Sequence, residues 1–182
     1  MLDRMRVLLL TASVLAAAGP SVAQSSSGAA AANPFDAPLA KQTMHLSVEP
    51  TVTPLSVGPG GKVTLNFAIT PKKGMHVYAP GRHQYQVVEV NVAREPWLKV
   101  DPTRYPPSEV VHFKLLNERV EVYSKPFRLS RDVTILATPE AKKVLMGMTS
   151  VTIAATLEYQ ACDDSVCYRP TKVPVSVVVQ LQ

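Results

Sequence analysis

The sequence predicts an all-β fold, an immunoglobulin-like antiparallel β-sandwich, from three observations. Apolar residues alternate with polar ones along several runs, most regularly over residues 151–159 and 173–181. A period of two places one face of a strand on a core and the other toward water. The chain has 16 prolines, which fall mostly between these runs and suit loops and edge strands. A helical signal covers only residues 139–146, so β structure dominates the prediction.

The other elements follow in order along the chain. A strand is expected over residues 63–69, between Gly60-Gly61 and Pro71. Alternating valines predict the next strand over residues 88–92, and residues 120–123 and 127–136 are two further candidates. The short helix is expected to begin after Thr138 as its N-cap and to end at Gly147.

The N-terminal segment predicts export. Arg4 and Arg6 precede an apolar run of about 12 residues, and Ser21-Val22-Ala23 fits a small-residue cleavage site. The run is shorter than the roughly 20 residues that span a bilayer. We therefore predict a signal peptide over residues 1–23 that is cleaved near Ala23, and a periplasmic location for the mature protein.

The mature chain divides into two regions of different composition. Residues 24–42 are rich in Ser, Gly, Ala and Pro, which predicts a flexible tether. Residues 43–182 have the length of one domain, long enough to bury a core of its own.

Charge and histidine placement argue against two classes of function. The formal net charge is +5, but the basic residues are scattered and form no stripe with interleaved aromatics, so we expect no nucleic-acid partner. The four histidines are dispersed and are interpreted as surface or edge-strand residues. No hydrolase motif accompanies them, so we also expect no small-molecule substrate and no cofactor.

The two cysteines, Cys162 and Cys167, lie in the run YQACDDSVCYRP. The four residues between them are rich in turn formers. A hairpin loop of that length would place the cysteines opposite each other, with Cα atoms about 4.5–5.5 Å apart. A disulfide accepts that separation, and an oxidising periplasm permits the bond. Asp163 and Asp164 should disfavour the thiolate because they place negative charge beside the sulfurs.

The hairpin cannot be regular on both sides of the cysteines. If Cys162 faces Cys167, then Leu157 faces Lys172, although the apolar face of the last strand begins at Val173. One residue must be absorbed between Cys167 and Val173. We predict a distortion at Arg169-Pro170, because proline cannot complete a ladder and a bulge shifts the parity by one.

Spacing alone leaves the role of the disulfide open. Most cysteine pairs in exported proteins are structural staples, yet closing so small a loop stabilises the fold by only about 2 kcal/mol in the loop-entropy model. A tight bridge at an irregular loop is also accessible to a partner thiol. Both a staple and a working redox pair therefore stay as interpretations at this point.

The motif YQACDDSVCYRP with the valine-rich strand after it resembles the N-terminal periplasmic domain of the thiol:disulfide interchange protein DsbD. The segment TPKKGMHVYAPG resembles an upstream stretch of the same family, and the resemblance covers residues 43–182. It implies an immunoglobulin-like domain with Cys162 and Cys167 as the redox pair. It also implies that Cys167 forms mixed disulfides with thioredoxin-like or other periplasmic redox proteins, and that a membrane-embedded protein donates the electrons.

The resemblance implies supporting residues as well. Tyr78 matches an aromatic position beside the cysteines, and His76 lies on the same segment. Tyr168, Asp163 and Asp164, all within the cysteine motif, are further supporting candidates. A cap loop covers the cysteines in the family, and its counterpart here falls near residues 115–119, where Leu115 or Leu116 replaces the usual aromatic ring. Since neither transmembrane helices nor a thioredoxin-like domain follow Gln182, we expect a stand-alone version of the domain.

Two other functions compete with this interpretation. Cys162 and Cys167 could join Met146, Met148, Met75 or His76 as soft ligands of a copper ion. Methionines also serve as filling residues in cores and loops, and we expect no bound metal. The second competitor is a structural β-sandwich in which the disulfide is a staple.

Overall fold

A computed structural model describes residues 40–113 and 117–182 of this chain. The predicted signal peptide, most of the predicted tether and the two predicted cap residues Leu115 and Leu116 lie outside the described residues. The strands of the described part, in chain order, are β1 (Lys41–Gln42), β2 (Leu46–Thr53), β3 (Ser56–Val57), β4 (Lys62–Pro71), β5 (His76–Tyr78), β6 (Glu89–Val92), β7 (Leu98–Arg104), β8 (Glu109–Phe113), β9 (Glu118–Tyr123), β10 (Phe127–Ile135), β11 (Ser150–Tyr159), β12 (Ala161–Cys162) and β13 (Thr171–Leu181).

The strands form three sheets. The first sheet has the order β1-β2-β4-β10-β7, the second β3-β13-β11-β6, and the third β12-β5-β9-β8. Neighbouring strands are antiparallel except for the parallel pair of β13 with β3. The predicted all-β, immunoglobulin-like sandwich is confirmed.

The first two sheets enclose the main core. Their strands bury alternate residues, among them Leu65, Phe67 and Ile69 of β4, Leu129 and Val133 of β10, Ile153 and Leu157 of β11, and Val175 and Val179 of β13. Each such side chain stabilises the fold by about 1.5–3 kcal/mol relative to its exposed state. The alternation seen in the sequence is therefore the alternation of the two faces of each sheet.

The predicted strands and helix are all present, and the structure adds strands that were not predicted. The helix α1 spans Pro139–Leu145, and the Thr138 side chain accepts a hydrogen bond from the Ala141 N–H at 3.2 Å. The added strands include β2 and β7, whose patterns are interrupted by Pro50 and Pro102. Both prolines are tolerated. Pro102 lies in the edge strand β7, and β1 pairs only with Ser47 and Val48 of β2, so it does not reach Pro50.

The predicted tether ends earlier than expected. Lys41 and Gln42 form β1, where they pair with Val48 and Ser47 of β2. The last two residues of the interval 24–42 are thus part of the first sheet, because their backbone extends the pairing of β2.

The polypeptide changes sheets between β11 and β12. β11 runs through the second sheet as far as Tyr159, and two residues later Ala161 and Cys162 pair with Val77 and His76 of β5 in the third sheet. This crossing carries the first cysteine out of the main sandwich and onto the small sheet. In the described ranges, no helix has the length and apolar character required to cross a bilayer.

Candidate functional site

The two cysteines form a disulfide at the mouth of the hairpin that follows β12. Their Cα atoms are 4.1 Å apart, and the residues pair as an isolated antiparallel bridge. The flanking bonds run from the Asp163 N–H to the Val166 carbonyl at 2.9 Å and from the Tyr168 N–H to the Ala161 carbonyl at 2.8 Å. The cysteines therefore occupy the narrow, non-hydrogen-bonded type of pair. The prediction that they face each other is confirmed.

The predicted distortion after the cysteines is also present. Leu157 pairs with Val173 and Tyr159 with Thr171, whereas Cys162 pairs with Cys167. One extra residue therefore lies on the second arm, between Tyr168 and Thr171, at Arg169-Pro170. This bulge lets the valines of β13 face the core while Cys167 still faces Cys162.

The two cysteines differ sharply in exposure. Cys162 is fully buried, with 0% of its surface exposed, and it packs in a small apolar cluster of the third sheet. Cys167 is exposed, as is its neighbour Val166. An attacking group from outside therefore reaches Cys167, and its reaction leaves Cys162 in the interior.

The Tyr78 hydroxyl contacts both sulfur atoms. Its hydroxyl oxygen lies 2.8 Å from the Cys162 Sγ and 3.3 Å from the Cys167 Sγ. Its ring is buried and stacks on Tyr85, with centroids 4.2 Å apart and planes 6° apart. The Tyr85 hydroxyl donates a hydrogen bond to the Glu118 carboxylate at 2.6 Å. Tyr85 lay outside the sequence prediction because the loop between β5 and β6 carries no pattern that places it beside Tyr78.

His76 occupies the position beside Cys162 on β5. The two residues are register partners, so their side chains lie on the same face of the third sheet. The His76 Nδ1 lies 2.7 Å from the Ser124 Oγ, and its Nε2 lies 3.4 Å from the Asp164 carboxylate. Asp164 is otherwise exposed, with 91% of its side chain accessible.

Asp163 organises the loop between the cysteines. One carboxylate oxygen accepts hydrogen bonds from the N–H groups of Ser165 and Val166, at 2.8 and 2.7 Å. The other accepts a hydrogen bond from the Tyr168 hydroxyl at 2.8 Å. These bonds, led by that of Ser165, lower the pKa of Asp163. The bond from Tyr168 to the Asp163 carboxylate raises the pKa of Tyr168.

A buried histidine, His45, packs against Tyr168, the residue whose hydroxyl bonds to Asp163 of this loop. The expectation that the histidines are surface or edge-strand residues is wrong for His45, which lies just before β2 and of which only 8% is exposed. Its ring packs 4.5 Å from the Tyr168 ring, and its Nδ1 lies 3.2 Å from the Tyr159 hydroxyl. Burial, with the nearby charge of Lys72, lowers the pKa of His45. Nothing in the sequence around residue 45 signals this packing, because its partners are more than 100 residues away in the chain, with a separation of 114 for Tyr159.

Phe113 is an aromatic residue near the buried cysteine that was not predicted from the sequence. It lies at the end of β8, directly before the interval that contains Leu115 and Leu116, which are outside the described residues. Its ring meets the His76 ring edge to face at 5.5 Å, and it belongs to the same apolar cluster as Tyr78 and Cys162. An aromatic side chain of β8 thus packs in the cluster around the buried cysteine, two residues before the position predicted for the cap.

Two of the methionines proposed as copper ligands, Met146 and Met148, are remote from the cysteines, whereas Met75 directly precedes His76, the register partner of Cys162. Met148 lies next to the residue pair Ser150 and Gln180, at the opposite end of β11 from the disulfide. A strand of ten residues is about 30 Å long. Met146 and Met148 therefore cannot share a metal ion with Cys162 and Cys167 in this fold. Across residues 40–113 and 117–182, no cluster of three or more His, Cys, Asp or Glu side chains is arranged to hold a metal.

A β-sandwich that carries one accessible disulfide, with a tyrosine hydroxyl in contact with both sulfurs, fits a thiol–disulfide exchange domain. A family model described as the N-terminal part of the thiol:disulfide interchange protein DsbD matches residues 42–178. The chain belongs to this family. No curated protein sequence matches the chain.

Solved structures also match this chain, to different extents. The N-terminal periplasmic domain of ScsB from Proteus mirabilis matches with a TM-score of 0.50 and 14% sequence identity, over 74% of this chain and 47% of that chain. This chain thus spans about half of the solved ScsB chain. The GAE domain of GGA2p from Saccharomyces cerevisiae matches with a TM-score of 0.36 and 11% identity, over 80% of this chain and 97% of that chain.

Proposed function

We propose that this domain works in the periplasm and carries electrons between redox proteins through the reversible Cys162–Cys167 disulfide. Its partners are thioredoxin-like or similar redox proteins that bind through mixed disulfides, and a membrane-embedded protein is the electron donor. The observation that carries the proposal is the unequal exposure of the two cysteines, with 0% of Cys162 accessible and Cys167 open to solvent. A simple staple does not require one sulfur to be within reach of a partner.

The exchange reaction consists of two successive thiolate attacks. A partner thiolate attacks the Cys167 Sγ, the bond to Cys162 breaks, and its electron pair stays on the Cys162 Sγ. A second partner thiolate then attacks the partner sulfur of the mixed disulfide and releases the Cys167 thiolate. Each released thiolate takes up one proton. In total the partner dithiol becomes a disulfide, and this domain gains two electrons and two protons; the reverse sequence reduces a partner.

The surrounding residues have separate roles in this proposal. The Tyr78 hydroxyl, in contact with both sulfurs, donates a hydrogen bond to the thiolate that forms. Asp163 and Tyr168 hold the loop so that Cys167 stays opposite Cys162. His76 and Asp164 border the pair on the solvent side. Leu115 and Leu116 stay assigned to the cap as a prediction, beside Phe113.

Trapping of partners tests the proposal directly. In a Cys162→Ser variant the exposed Cys167 keeps a mixed disulfide that cannot be resolved from within the domain. We expect this variant to accumulate mixed disulfides with periplasmic proteins, identified by mass spectrometry of the non-reduced complexes. A Cys167→Ser variant should trap much less because its remaining thiol is buried, and the double serine variant serves as the blank. Capture of nothing by Cys162→Ser in the native compartment would contradict the carrier function.

A further inference from the structure

Gln160 occupies the one-residue gap between β11 and β12, at the point where the chain leaves the second sheet for the third. Because the pairing changes register around it, Gln160 lies opposite the bulge at Arg169-Pro170. A bulge leaves its residues without regular ladder bonds. Beyond the Tyr168 N–H bond to Ala161, the segment that follows Cys167 is therefore held less by regular backbone pairing than a continuous strand would be.

The side chain of Gln160 supplies hydrogen bonds to two segments of the site. Its Nε2 donates to the carbonyl of Tyr168, the residue after Cys167, at 3.0 Å. Its Oε1 accepts from the N–H of Gln86, the residue after Tyr85, at 3.2 Å. Since a carbonyl pairs only with a donor and an N–H only with an acceptor, the two bonds fix the orientation of the carboxamide.

The backbone of Gln160 adds a third bond. Its carbonyl accepts from the N–H of Tyr78 at 3.4 Å. One residue, two positions before Cys162, thus contacts Tyr78 itself and the immediate neighbours of Tyr85 and Cys167. Tyr85 stacks on the ring of Tyr78, and the Tyr78 hydroxyl contacts the sulfur of the exposed Cys167.

We propose that Gln160 is a positioning residue that sets the tendency of the disulfide to close. The inference rests on the proposed function of the cysteine pair. In the closing step, the Cys162 thiolate attacks the Cys167 Sγ of a mixed disulfide, and the electron pair of the broken bond leaves with the partner sulfur. The rate and equilibrium of this step depend on how well Cys167 is held opposite Cys162. The Gln160 bond to the Tyr168 carbonyl limits the freedom of that sulfur when the disulfide is open.

Two substitutions separate the hydrogen bonds of the carboxamide. Gln160→Glu keeps an acceptor for the Gln86 N–H but has no proton to donate to the Tyr168 carbonyl at neutral pH. Gln160→Met keeps the shape and loses both bonds. Gln182→Met is the matched control because the Gln182 Nε2 also donates a hydrogen bond, to the Ser56 Oγ at 2.7 Å, at the far end of β13.

The measurement is the equilibrium between disulfide and dithiol forms in a glutathione redox buffer, with the melting temperature of each form recorded in parallel. We expect Gln160→Glu and Gln160→Met to lower the equilibrium constant for disulfide closure about tenfold, a rise of about 30 mV in reduction potential. Gln182→Met should match the wild type. A purely structural role would lower the stability of both redox forms equally and leave this constant unchanged.

The results distinguish failure of this inference from failure of the proposed function. If the wild-type disulfide exchanges with glutathione and with a reduced thioredoxin-like protein, but Gln160→Glu keeps the wild-type constant, only the role of Gln160 is overturned. If the wild-type disulfide reacts with neither, the proposed function fails and the inference fails with it. A tenfold change in both Gln160 variants, absent from Gln182→Met, supports the inference.

Discussion

The Tyr78 hydroxyl oxygen lies 2.8 Å from the Sγ of Cys162, although 84 residues separate the two in the chain. Burial, with contributions from Tyr85 and Glu118, raises the pKa of Tyr78 to about 12. Thiols ordinarily titrate near pH 8.5, so the phenol stays protonated throughout the range in which thiolates form. Tyr78 can therefore donate a hydrogen bond to whichever sulfur carries negative charge.

Replacement of Tyr78 by phenylalanine should slow exchange without unfolding the domain. A hydrogen bond to a charged group contributes about 1.5–3 kcal/mol, so we expect thiol exchange with glutathione at neutral pH to slow roughly ten- to hundredfold. The phenyl ring can still stack on Tyr85. Stopped-flow measurement of the exchange rate checks the prediction, and Tyr85→Phe, which loses only the bond to Glu118, is the control. Equal rates for Tyr78→Phe and wild type would remove the donor role.

Phe113→Ala should expose the buried Cys162 as a second point of attack for small thiols. Phe113 is 8% exposed and packs with Cys162 and Tyr78, so its truncation removes apolar cover from the buried sulfur. We expect a stability loss of about 3 kcal/mol, the low end for such truncations because the cluster is small. Reduction of the disulfide by glutathione should become faster. Val110→Ala on the same strand is the control, since Val110 is 54% exposed. An unchanged reduction rate in Phe113→Ala would mean that Phe113 does not shield the disulfide.

The order of the loop between the cysteines should depend on pH through Asp163. Folding lowers the pKa of this carboxyl below its ordinary 3.8. Its ionised form therefore contributes stability above about pH 4, and the contribution is lost as the pH falls through the lower, folded value. We expect the Ser165 and Val166 amides to be protected from hydrogen exchange from pH 7 down to about pH 4 and to lose protection below that pH.

Substitution of the two acidic residues of the loop tests the assignment to Asp163. Asp163→Ala should remove the amide protection at every pH, because the acceptor of both N–H groups is gone. Asp164→Ala should retain both the protection and its pH dependence, since the Asp164 carboxylate contacts His76 and not the loop amides. Loss of protection in Asp164→Ala would show that Asp163 is not the carboxylate that alone orders the loop amides.

Deletion of Arg169 should prevent the disulfide from forming while the domain still folds. Without the extra residue, either Cys167 no longer faces Cys162, or the core valines of β13 (Val173, Val175, Val177 and Val179) turn outward. Each valine contributes about 1.5–3 kcal/mol and the small disulfide loop about 2 kcal/mol, so the disulfide should be lost first. We expect a folded protein with two free thiols after mild oxidation, measured by thiol titration and thermal melting. Arg169→Ala keeps the length of the segment and should keep the bond; a closed disulfide in the deletion variant would argue against the bulge as the cause.

Much of the fold follows from the sequence because its determinants are local. The period of two in residues 151–159 and 173–181 fixes which side chains are buried in β11 and β13. The four-residue loop fixes the facing of Cys162 and Cys167, and the parity of the valines requires the bulge. Strands such as β2 and β7 escaped prediction because a proline interrupts each pattern. These prolines are acceptable because β7 is an edge strand and because β1 does not reach Pro50 of β2.

The sequence by itself determined the β class, the pairing of the cysteines and the irregular hairpin, since each depends on neighbours along the chain. Only the tertiary structure decided that Cys162 is buried and Cys167 exposed, that Tyr78 contacts both sulfurs, and that Phe113 packs in the same apolar cluster as Cys162. It also decided where the Gln160 carboxamide bonds. The physical reason is that most of these contacts join segments tens of residues apart, and their geometry depends on how the third sheet packs against the hairpin.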